Sequence, residues 1–77
     1  MNTTADIQRY TLRFSGNLEP TFLTDYCPAG TTLTMELNTF TLDNLRADQA
    51  GLIGLIRSLH NLGCTLIELK VKLGGNS

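Results

Sequence analysis

Polar and apolar side chains alternate from Gln8 to Ser15, with Tyr10, Leu12 and Phe14 on one side and Arg9, Thr11, Arg13 and Ser15 on the other. A period of two predicts a half-buried strand. Gly16 and Asn17 break it. Pro20 suits the first turn of a helix, and Leu18, Phe22 and Tyr26 then recur at four-residue spacing with Leu23 beside them, which predicts a short helix over about residues 20 to 26. Pro28, Ala29 and Gly30 end that helix, and alternation resumes from Thr31 to Leu37, with Leu33, Met35 and Leu37 inward and Thr32, Thr34 and Glu36 outward. A two-residue turn at Asn38 and Thr39 sets Leu37 opposite Phe40 and Met35 opposite Leu42, so that every apolar side chain of the hairpin shares one face. Thr39 is β-branched and resists positive φ, which leaves a longer loop or a bulge as the alternative.

From Gln49 to Leu62 the pattern changes to a helical period, with Leu52, Leu55, Ile56, Leu59 and Leu62 in one stripe that Ile53 widens. Asp48 stands where a cap for the first free amides is needed, and Gly63 where a left-handed terminator is needed. Thr65 to Leu73 then places Ile67, Leu69, Val71 and Leu73 inward, with Glu68, Lys70 and Lys72 outward. The resulting order, βαββαβ, predicts a ferredoxin-like α+β fold, a four-stranded antiparallel sheet in the order 4-1-3-2 with one long and one short helix on one face. A helix of about seven residues rises only about 10 Å, so a ββαβ sheet with an irregular first crossover is the alternative. One domain over residues 1–77 is expected, with an ordered core at about 7–73 and loose ends at 1–5 and 74–77.

The segment from Thr39 onward, TFTLDNLRADQAGLIGLIRSLHNLGCTLIEL, resembles a family of small bacterial proteins of unassigned function, common in actinomycetes and cyanobacteria. The likeness falls on Asp48, Gln49, Ala50, Leu52, Gly54, Leu55, Leu59, Leu62, Gly63, Leu66 and Ile67, and departs at Gly51, Ile53 and Cys64, where that family more often has Ala, His and Leu. It implies a shared fold and no particular activity.

Composition narrows the function. The 77 residues are 42% hydrophobic and 17% charged, the profile of a globular chain. Six Lys and Arg against seven Asp and Glu, with no basic run, argue against nucleic acid as a partner. The outward face of the sheet also lacks the aromatic side chains on which bases stack. The longest apolar run, Gly51 to Ile56, is far short of the roughly 20 residues that cross a bilayer. Met1 to Tyr10 has neither the basic start nor the apolar centre of a secretory signal, so a cytoplasmic location is expected. Cys27, Cys64 and one histidine are too few ligands for a structural zinc, and neither metal nor cofactor is expected.

Candidate chemistry gathers at the start of the long helix. Free amides there, with Arg46, Asp48 and Gln49 and with Asp25 and Tyr26 from the short helix, could hold a carboxylate or phosphate, although capping alone accounts for Asp48. Gly51 and Gly54 each cost about 1 kcal/mol relative to Ala inside a helix, which points to close approach by another backbone, within the chain or from a second subunit. Leu66 is the lone apolar residue assigned to the outward face and fits association between copies. His60 and both cysteines read as structural, since Cys27 falls at one end of the sheet and His60 with Cys64 at the other. The leading expectation is a non-enzymatic, self-associating binding or regulatory module. A small-ligand binder or small enzyme with a site between subunits is the alternative, and a protein partner docking on a sheet edge is a third.

Overall fold

The computed structural model describes residues 7–72. The chain runs β1 (Gln8–Ser15), α1 (Pro20–Tyr26), β2 (Thr32–Met35), β3 (Thr39–Ala47), α2 (Gln49–Asn61) and β4 (Thr65–Lys72). All strand pairs are antiparallel and the sheet order is β2-β3-β1-β4. The ferredoxin-like order predicted from the alternation is therefore the fold. Leu73 and the two proposed loose ends lie outside the described residues.

One hydrophobic core closes the helix side of the sheet. Leu12 and Phe14 of β1 and Phe40, Leu42 and Leu45 of β3 meet Leu18 and Phe22 from the first crossover and Leu52, Leu55 and Leu59 from α2. The rings of Phe14 and Phe40 stack with centroids 5.4 Å apart, across the β1–β3 pair. Leu62, predicted as the last residue of the stripe, is instead the C-cap of α2 and is exposed, because the helix ends one residue earlier.

The shortness of α1 is offset by irregular segments on both sides. Gly16, at φ +122°, lets the chain leave β1 so close to Cys64 that an added Cβ would sit 3.2 Å from the sulfur. After the helix, the Thr31 amide and hydroxyl both donate to the Pro28 carbonyl, at 3.2 and 2.9 Å. The Asn44 side-chain amide donates to the Gly30 carbonyl at 3.1 Å. These bonds carry the chain into β2, so the crossover is a true helix with structured flanks.

Two bulges break the strict alternation of the strands. In β3, Asp43 and Asn44 both oppose Thr11 of β1, where the register shifts, and Asn44 adopts φ +57°. The extra residue returns Leu45 to the core side three positions after Leu42. Asp43 fastens the bulge, accepting from the Thr11 hydroxyl at 2.6 Å and from the Asn44 amide at 2.8 Å. Those two bonds, the Thr11 one foremost, hold its carboxyl below the ordinary carboxylate value. In β4, Arg13 pairs with Glu68 but Phe14 pairs with Leu66, leaving Ile67 unpaired.

Sequence expectations are corrected at the hairpin and at Leu66. The hairpin register is two residues from the predicted one, with Met35 opposite Phe40 and Leu33 opposite Leu42. Leu37 and Asn38 form its tip, where Leu37 is 88% exposed, and the Glu36 amide donates to the Thr39 carbonyl at 2.8 Å. A two-residue slip keeps every side chain on its face, so alternation is blind to it. Thr39 joins β3 opposite Ser15, and the tip residues Leu37 and Asn38 take no positive φ. Leu66 lies on the helix side of the sheet, because the bulge at Ile67 inverts its parity and sets it beside Phe14. Leu69 and Val71 pair with Leu12 and Tyr10 on that side as predicted but stay 46% and 44% exposed. Leu59→Ala is expected to cost about 2–5 kcal/mol in denaturant unfolding, whereas Leu37→Ser stays within about 0.5 kcal/mol. A core-sized loss at Leu37 would instead favour the register in which it faces Phe40.

Candidate functional site

The start of α2 is built as its sequence predicts. Asp48 is the N-cap, its carboxylate accepting from the Gly51 amide at 2.7 Å. At the other end the Cys64 amide donates to the Leu59 carbonyl and the Gly63 amide to the His60 carbonyl, both at 3.0 Å, and Gly63 takes φ +94°. This closing pair of bonds is a Schellman motif.

Of the residues proposed for a ligand, Tyr26, Arg46 and Asp48 line one open groove of about 290 Å³, floored by Leu45 and Leu55. Gln49 lines a second depression together with Asp48, Gln8 and Tyr10, so that Asp48 borders both. Asp25 is exposed on α1 and lines neither. The Asp48 carboxylate also occupies the place that an anion would take at the helix amides, and its charge repels one. The helix start is thus a closed cap.

Arg46 has other company. It pairs with Arg9, and Arg9 pairs on its far side with Lys72, so three cations stand in one row across β3, β1 and β4 on the face away from the helices. Like charges directly opposite on neighbouring strands are unfavourable. Among the described residues the ion pairs are Arg13 with Glu36 at 3.8 Å and Lys70 with Glu68 at 3.4 Å, and neither includes a member of this row. Arg9 and Lys72 do not stand out in the sequence, because their meeting depends on two cross-strand registers.

The two helix glycines differ. A Cβ on Gly51 would sit 3.0 Å from the Asp48 carboxylate, so the cap itself accounts for Gly51 within the chain. A Cβ on Gly54 would meet nothing within 4 Å. His60, Cys64 and Leu66 share a shallow apolar trough of about 310 Å³ between α2 and β4, with Ile53 and Ile56 on its helix wall. Both cysteines are free, and burial pushes each thiol up from its ordinary value, which suppresses the nucleophilic thiolate. No cluster of three or more metal-ligating side chains exists among the described residues.

A βαββαβ chain with this sheet order and a single helix-covered face defines a small ferredoxin-like α+β domain. The chain belongs to the family described as Domain of unknown function (DUF8691), which it matches over residues 9–70. No curated protein and no solved structure matches it.

Gly54→Ala is expected to raise stability by about 0.5–1 kcal/mol in dilute solution, and Asp48→Ala to lower it by about 1 kcal/mol, both read by thermal or denaturant unfolding. A loss at Gly54 would mean that a neighbour packs on it.

Proposed function

We propose that this is a bacterial, cytoplasmic binding or regulatory module that self-associates and carries no catalysis of its own. The bacterial source rests on the likeness of Asp48 to Ile67 to the small bacterial family described above. The reading is carried by β4, an eight-residue edge strand whose Ile67, Leu69 and Val71 are 44–51% exposed. An edge of that length and apolarity invites pairing. Sedimentation velocity from dilute to concentrated solution is expected to show the mass rising from the 8.4 kDa monomer to a defined multiple. A monomer at every concentration would refute self-association and favour a different protein on the same edge.

The row of Arg46, Arg9 and Lys72 supports a second reading, a binder of multiply charged anions on the outward sheet face. Thermal denaturation against phosphates, nucleotides and dicarboxylates tests it. This reading expects a saturable rise in melting temperature that Arg46→Ala and Arg9→Ala each remove. No shift with any of the three classes would discard it.

A further inference from the structure

We infer that self-association, on which this inference rests, joins β4 to β4 of a second copy about a two-fold axis through Leu69, making one continuous eight-stranded antiparallel sheet. The sheet has two edges. β2 is four residues long, whereas β4 is eight residues long and contains neither proline nor glycine. Only β4 therefore offers a useful length of unpaired backbone.

The pattern of β4, Thr65-Leu66-Ile67-Glu68-Leu69-Lys70-Val71-Lys72, selects the register. Antiparallel pairing of a strand with its own copy requires the axis to pass through a residue, because side chains opposite each other must share a face. An axis at Glu68 or Lys70 opposes that charge to itself, and one at Val71 opposes Lys70 to Lys72. An axis at Ile67 falls on the bulge and pairs only residues 65–69, with no opposite charges facing. An axis at Leu69 sets Glu68 against Lys70 of the second copy twice over, Leu69 against Leu69, and Ile67 against Val71. The charges that deter pairing in other registers support it in this one.

The faces agree with this arrangement. Glu68 and Lys70 pair with Arg13 and Thr11 of β1 on the polar face, where they already attract each other at 3.4 Å. Leu69 and Val71 pair with Leu12 and Tyr10 on the helix side. A two-fold normal to the sheet keeps both pairs of helices on the same side, so the uncovered strips of the two copies meet as one apolar band between the α2 helices.

Charge exchange tests the register with exposed substitutions that leave the core intact. Glu68→Lys and Lys70→Glu are each expected to weaken self-association roughly tenfold or more, since each turns two favourable cross-strand pairs into two like-charge pairs. An equimolar mixture of the two variants restores complex formation, because one chain then carries lysine at both positions and the other carries glutamate at both, so that unlike charges face each other in each cross-strand pair. The double exchange within one chain restores it as well. Light scattering reads all four samples, and circular dichroism confirms the fold of each. Wild-type assembly with variants that assemble equally well alone overturns the register and leaves self-association standing. Variants that dissociate without mutual rescue also overturn it, and a monomeric wild type overturns both.

Discussion

A thirteen-residue helix and a seven-residue helix have to cover four strands, and they bury side chains of the two central ones. Leu52, Leu55 and Leu59 of α2 close onto Leu12 and Phe14 of β1 and Phe40, Leu42 and Leu45 of β3, while Phe22 of α1 completes the layer. This closed layer is the one contiguous core that so short a chain builds, and no residue of β4 is buried in it. Burial at about 25 cal/mol per Å² is therefore concentrated on one side of the sheet, and the last strand is held chiefly by its ladder to β1. The open strip along β4 follows from that shortage of helix.

The bulges adapt a simple pattern to this core. Without the extra residue at Asp43–Asn44, Leu45 would face solvent and Arg46 would face the leucines of α2. Asp43 and Thr11 fix the kink in place, and Asn44 uses the same kink to tie down the loop at Gly30. The bulge at Ile67 similarly delivers Leu66 to the helix side, beside Phe14 and the α2–β4 trough.

Local features of the chain are legible in the amino-acid sequence alone. Asp48 and Gly63 mark the ends of α2, its leucine stripe marks the buried side, and Pro20 marks the start of α1, because each effect acts within a few residues. Cross-strand features are not. The hairpin register at Leu37 is degenerate to a two-residue slip, and the bulges at Asn44 and Ile67 are defined by the pairing of their strands with β1. The same limit governs the candidate site. The order of elements suffices to bring Arg46, Asp48 and Tyr26 to one end of the sheet, whereas the row that Arg46 forms with Arg9 and Lys72 is visible only once three strands are in register. Gly51 proves to be a consequence of the Asp48 cap, a contact three residues away in the chain.

The cation row reaches the apolar edge strand at Lys72, on the face opposite Leu69 and Val71, so an anion on the outward face and a second copy at β4 are compatible. Amide hydrogen exchange followed residue by residue in dilute and concentrated protein distinguishes the edges directly. Amides of β4 that point away from β1 are predicted to gain protection as concentration rises, while those of β2 that point away from β3 stay open. Unchanged exchange along β4, or protection appearing at β2 instead, would contradict assembly through the uncovered strand.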